Sequence, residues 1–152
     1  MYIPFVRMHA DVKLPERKNP SDAGADVYFY SPDKKLCVIE PGENMLCATG
    51  LKTHIPHGYA FIAMNRSGMA SKQNLRVGAC VIDPGYENEL FIDLHNDGNV
   101  PQKVEHDHRI AQLLLVPVIP FVPFAVESEE KLFEKPLYIS NRKTGGFGST
   151  GS

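Results

Sequence analysis

The segment Arg142-Lys143-Thr144-Gly145-Gly146-Phe147-Gly148-Ser149-Thr150-Gly151-Ser152 concentrates ligand-binding groups: a guanidinium, an aromatic ring, hydroxyls and amides unhindered by Cβ atoms. Its four glycines lose too much backbone entropy for the segment to fold by itself. Those groups can wrap a nucleotide, with the ring on a base and the guanidinium and amides on phosphate oxygens. The same composition also describes a disordered Gly/Ser terminus, so the rest of the chain must decide.

Four further segments carry chemistry. Asp83 sits in Val81-Ile82-Asp83-Pro84-Gly85-Tyr86, where Pro then Gly suits the centre of a type II turn and Asp opens turns. The segment reads as a hairpin tip beside buried Val81 and Ile82. A partly buried Asp83 facing a substrate could take a proton from water as general base, and Tyr86 could stack on a sugar. Arg66-Ser67-Gly68 precedes a short helix. Amides, a hydroxyl and a guanidinium there favour an anion, although Ser67 could equally be a simple helix cap. Asp22-Ala23-Gly24-Ala25-Asp26 opens a strand with small residues that permit close packing. Asp26 could hold a metal-bound water, and the alternative is a plain turn.

In Arg109-Ile110-Ala111-Gln112-Leu113, strand alternation puts Arg109, Ala111 and Leu113 on one face and Ile110 and Gln112 on the other. Gln112 in so apolar a strand needs a partner, either a phosphate or a neighbouring backbone group. His106-Asp107-His108 and the pair His54 and His57 have no third convergent ligand and read as solvated. No Ser-His-Asp or Cys-His set stands out, nor a Walker-type Gly-Lys-Ser/Thr.

The elements that must position these residues read as β. Strands are expected at Met1–Val6, Ala25–Tyr30, Lys35–Ile39, Asn44–Gly50, Gly58–Met64, Glu89–Leu94 and Arg109–Val118. Ser67–Asn74 reads as the one helix, with another helical turn at Glu127–Phe133. Twelve Pro and twelve Gly argue against long helices. At 152 residues, 43% hydrophobic and 22% charged, the chain is expected to form a single domain (1–152). Residues 127–152 are expected to serve as a C-terminal arm. The pattern suggests an antiparallel sandwich or jelly roll. A net charge of −2 gives no global attraction to nucleic acid or an anionic membrane. Cys37, Cys47 and Cys80 lack zinc or disulfide spacing and read as reduced thiols. With no signal-peptide shape and no apolar run of membrane-spanning length, an intracellular (cytoplasmic) location is expected.

Taken in order, five segments resemble the five motifs of the homotrimeric dUTPases: Asp22–Val27, Arg66–Ala70, Gly78–Tyr86, Arg109–Leu113 and Arg142–Gly151. The resemblance implies a jelly-roll-like distorted β-barrel subunit, a homotrimer with sites at subunit boundaries, and Mg²⁺-dependent hydrolysis of dUTP to dUMP and pyrophosphate. It implies that Asp83 activates the water attacking the α-phosphorus, and that Tyr86 sits against the deoxyribose and rejects a 2′-hydroxyl. Gly78, Cys80, Val81 and Ile82 would read the uracil edge, and Phe91 would also bind substrate. Arg66, Ser67, Gly68 and Gln112 would hold the phosphate chain, and Asp26 would orient the hydrated metal. Phe147 would cover the uracil, while Arg142, Gly148, Ser149 and Thr150 close on the γ-phosphate. Tyr86-Glu87-Asn88 stands where the family usually has Tyr-Arg-Gly, and Cys80 where glycine is often found.

Two rival readings remain open. A deoxycytidine triphosphate deaminase, or a bifunctional relative, shares the fold, and would be expected to carry Glu where this chain has Asp93. A nucleotide-sensing regulatory protein would keep the pocket for partner capture.

Overall fold

The computed structural model describes residues 1–134, and the chain divides into two units, Met1–Pro120 and Phe121–Ser152. The first unit holds β1 (Phe5–Arg7), β2 (Ala25–Tyr28), β3 (Cys37–Ile39), β4 (Asn44–Ala48), β5 (Leu51–Thr53), β6 (Tyr59–Met64), α1 (Ser67–Gln73), β7 (Leu75–Val77), β8 (Val81–Ile82), β9 (Phe91–Asn96), β10 (Gln102–Val104) and β11 (Arg109–Pro117). In the second unit, α2 (Glu129–Leu132) is a single turn capped by Ser128, whose side chain accepts from the Lys131 amide.

Among the described residues all strand pairs are antiparallel and form four sheets: β2-β11-β6-β8, β4-β9-β7, β1-β5 and β3-β10. Among the described residues the sheets do not close into a barrel. Alternation explains the core. Ile92, Leu94 and Asn96 of β9 point inward, while Phe91, Asp93 and His95 point outward. Leu51, Leu75, Leu90, Ile110 and Leu113 complete the buried interior. The buried Asn96 is satisfied by donating to the carbonyls of Ile39 (2.8 Å) and Val100 (2.9 Å) and accepting from Gly98 (3.0 Å). Burial pushes the Cys47 thiol up to about 12, so it stays protonated at neutral pH.

Three local arrangements differ from the sequence expectations. β11 carries a bulge between Arg109 and Ala111, so Ile110 and Ala111 are both buried and simple alternation resumes only beyond them. Arg66, not Ser67, is the N-cap of α1, with no side-chain cap bond. The helix is instead pinned by buried Met69 and ends at Asn74 in the left-handed region (φ 52°). Finally, Val81 is exposed, not buried. β8 pairs with β6, and β9 with β4 and β7, so the chain around Asp83 crosses between sheets and its two arms do not pair as a hairpin.

Candidate active site

That crossing creates a cleft. Val77 still pairs with Leu94 on β9, and the Gly78 amide donates to the Asp93 carbonyl at 2.8 Å. By Cys80 the chain has moved to β6, where the Cys80 carbonyl accepts from the Ala63 amide at 2.7 Å. The splay leaves a hollow of about 420 Å³ lined by Leu46, Ala79, Val81, Ile82, Asp83, Tyr86, Leu90, Phe91 and Asp93. Its mouth is the turn 83–86. The Tyr86 amide donates to the Asp83 carbonyl (3.3 Å), and Gly85 has φ +88°, the backbone a type II turn demands of its third residue. The Tyr86 hydroxyl donates to the Glu89 carbonyl at 3.0 Å, which fixes the ring. Of the residues expected to meet base, sugar and water, Val81, Ile82, Asp83, Tyr86 and Phe91 line one hollow, with Gly78 and Cys80 on its approach.

A second cluster forms where β2, β11 and the start of α1 meet. The Arg66 Nε donates to Asp26 Oδ1 at 2.8 Å, and its Nη1 to the Arg109 carbonyl at 3.2 Å. Arg109 Nη1 reaches Asp26 Oδ2 at 3.4 Å. Asp26 therefore sits between two guanidinium groups. Gln112 donates to the Asn65 carbonyl at 2.8 Å, so a backbone group is its partner. Its amide packs on Gly24 so closely that a Cβ there would collide with Gln112 Oε1. Ser67 and Gly68 are exposed in the first turn of α1. Beside Arg66 and Arg109 lies a hollow of about 320 Å³.

The two clusters line different hollows. In the four-stranded sheet β2 and β8 are opposite edges, three inter-strand steps or about 14 Å apart. Ile82 faces Phe61 on β6, so Asp83 follows the edge strand β8, whereas Asp26 lies on the opposite edge strand β2 with Arg66 bonded to it. Arg142, Phe147, Gly148, Ser149 and Thr150 lie outside the described residues.

The residues expected to bind substrate did not include Arg109, Asn65 or Asp93, although Arg109 opens one of the five segments and Asp93 entered the deaminase reading. Arg109 was visible as a charge at the head of an apolar strand, but its contact with Asp26 came from the structure. Among the described residues no group of three or more His, Cys, Asp or Glu could hold a metal ion. Such a sparse carboxylate set fits Mg²⁺ only where substrate phosphates and water supply most of its oxygens.

A model of the dUTPase family matches residues 10–151. The chain belongs to the dUTPase family. It is 36% identical over 149 residues to a deoxyuridine 5'-triphosphate nucleotidohydrolase of Pseudomonas putida, covering 96% of this chain and 92% of that one. It is 38% identical over 152 residues to one of Desulfitobacterium hafniense, covering 98% and 94%. Its fold is similar to that of the Staphylococcus bacteriophage 80alpha dUTPase with dUPNHPP, at a TM-score of 0.83 and 27% identity over 99% of each chain. Among the described residues no helix is long and apolar enough to cross a membrane.

Proposed function

We propose that this dUTP-hydrolysing chain divides the work between its two clusters, and that a neighbouring copy brings them together. The observation that carries this is their separation within one chain: they line different hollows, and Asp26 lies on one edge strand of a four-stranded sheet while Asp83 follows the other, about 14 Å away. A base, a sugar and a triphosphate bound to one copy cannot have the α-phosphorus beside Asp83 and the phosphate chain on Arg66. A cyclic homotrimer of jelly-roll subunits, with the cleft of one subunit facing the charged cluster of the next, closes that gap. An isologous or cyclic arrangement would also repeat the site once per subunit.

Within such a site the cleft takes the uracil through the backbone of Gly78–Ile82, and Tyr86 packs on the deoxyribose. Asp83 receives the proton of the attacking water, a role that needs an acceptor at the cleft mouth and within one hydrogen bond of that water. Arg66 uses two of its five N–H donors on Asp26 and the Arg109 carbonyl. Its remaining N–H groups are available to phosphate oxygens. Ser67, Gly68 and Gln112 complete the phosphate grip. Bound Mg²⁺ would neutralise phosphate charge and align the chain for in-line attack, with Asp26 touching it through water. Arg142, Phe147, Gly148, Ser149 and Thr150 would cover base and γ-phosphate, excluding water from the closed site.

The test is to incubate purified protein and Mg²⁺ with dUTP, dCTP, dTTP and UTP, following pyrophosphate and base identity, while measuring its mass in solution. Pyrophosphate and dUMP from dUTP alone, from a trimer, is the expected result. Ammonia from dCTP would move the chain to the deaminase reading. A monomer with full activity would remove the shared site. Removal of residues 142–152 should leave the assembly intact with little turnover.

A further inference from the structure

Asp93 has no role in the scheme above, yet its side chain lines the cleft and bonds two neighbouring side chains. It lies on the outward face of β9 with its side chain 15% exposed. Its Oδ1 accepts from Asn44 Nδ2 on β4 at 2.8 Å, and its Oδ2 pairs with His95 Nε2 at 2.8 Å. Burial alone would push this carboxyl up, but the bonds from Asn44 and His95 outweigh it and hold it below its ordinary value. Asp93 is then an acceptor only, and His95 Nε2 must be the donor.

The pair also presses on the backbone. A Cβ at Gly78 would collide with both Asp93 Oδ2 and His95 Nε2. The contact falls where the chain leaves β9 for β6. Two backbone bonds fix that departure: the Gly78 amide to the Asp93 carbonyl, and the Ala63 amide of β6 to the Cys80 carbonyl. One holds the segment toward β9 and the other draws it away, so together they set the width of the hollow.

We propose that Asp93, oriented by His95 and Asn44, is a positioning residue that sets the splay of Gly78–Ile82 and so the base selectivity of the cleft. The proposal rests on the reading of that cleft as the uracil pocket. Asp93 bonds Asn44 and His95, whereas the turn that carries Asp83 is closed by its own backbone, the Tyr86 amide on the Asp83 carbonyl, so the geometry of that turn does not rest on Asp93. Its loss should therefore be felt in substrate binding and selection, with the chemical step spared.

The experiment uses the full-length protein as Asp93→Asn, His95→Ala and His95→Gln. It measures kcat and KM for dUTP and dTTP, and hydrogen exchange of the Gly78 amide, which bonds the Asp93 carbonyl. Asn replaces a carboxylate oxygen with a donor. Ala removes the imidazole donor, and Gln puts an N–H back near the place of Nε2. Asp93→Asn is expected to raise KM for dUTP about tenfold, the effect of one lost charge-assisted bond, with kcat nearly unchanged. The preference for dUTP over dTTP should fall, and Gly78 should exchange faster. His95→Ala should shift the same readouts less, and His95→Gln should restore them. Unchanged KM, selectivity and exchange in Asp93→Asn would overturn the proposal. So would a loss of kcat and thermal stability at constant selectivity, which marks a merely structural bond. Wild-type protein inert toward dUTP would sink the reading of the cleft, and this inference with it.

Discussion

Asp26, Arg66 and Arg109 are held by one another's charges, whereas Asp83 and Tyr86 are held by the backbone of the turn that carries them. The first cluster is compact and keeps a net positive charge: one carboxylate between two guanidinium groups, all three side chains at most half exposed. The second is open, with Val81, Tyr86 and Phe91 exposing apolar surface at the rim of a hollow. The difference teaches how one fold can meet two ends of one substrate. A triphosphate needs cations whose positions are fixed before it arrives, and pairing with Asp26 fixes Arg66 without consuming all its donors. A flat base needs a slot, which strands that part from one another provide. Exposed apolar rims are also what a second copy would cover.

The sharpest way to break this contrast is to remove one group from each side. Asp83→Asn keeps the turn, since the Tyr86 amide bonds the backbone carbonyl of Asp83 and not its side chain. It should lower kcat by about 10²–10⁴-fold while calorimetry still detects binding of a non-hydrolysable dUTP analogue. Near-normal turnover would remove Asp83 as the base. Arg66→Ala should act on both fold and binding. It strands the half-buried Asp26 carboxylate and should cost about 1.5–3 kcal/mol in denaturant unfolding. It should also weaken triphosphate binding more than dUMP binding. Equal losses for the two nucleotides would show that the charged cluster does not face the phosphates.

The contrast also decides what could be read from the sequence. The charged side was visible residue by residue. Asp26, Arg66 and Gln112 stood out as polar groups beside apolar strands, and the structure gathers them. The Pro84-Gly85 turn was legible because its backbone demands those residue types. Strand β11 and helix α1 fell within a residue or so of their expected spans, Arg109–Val118 and Ser67–Asn74, since each has a long or well-punctuated pattern. What escaped was relational. β5, β7 and β10 are three residues each, too short for a period to appear. A bulge has no local signature in Arg109-Ile110-Ala111, yet it buries two consecutive residues there. Nothing in Gly78–Tyr86 says that its arms pair with different sheets, so the slot, and the bonds Asp93 makes to Asn44 and His95 within it, came only from the structure.

A smaller effect probes how rigid the charged side is. Gly24→Ala places a methyl against Gln112, whose amide is already committed to the Asn65 carbonyl. Gln112 must swing away, breaking that bond, and overpacking of this kind costs about 1–3 kcal/mol. The expected result is a lower unfolding midpoint and a raised KM for dUTP with the base preference intact. A change in base preference would mean that the two clusters are mechanically coupled within one chain.

The mildest test leaves the sequence untouched and uses the cysteines as reporters. Cys47 is fully buried and its thiol is pushed up to about 12, so very little thiolate exists at pH 8. It should resist iodoacetamide until the protein is unfolded, because the thiolate is the nucleophile. Cys80 is only partly buried and lies on the approach to the cleft. It should react in the native protein, and a bound dUTP analogue should slow it severalfold by occupying the slot, an effect of access and not of charge. Pyrophosphate, which reaches only the charged side, should leave that rate unchanged. If pyrophosphate protected Cys80 as well as the nucleotide does, the division between a charged half and a slot-like half would not hold.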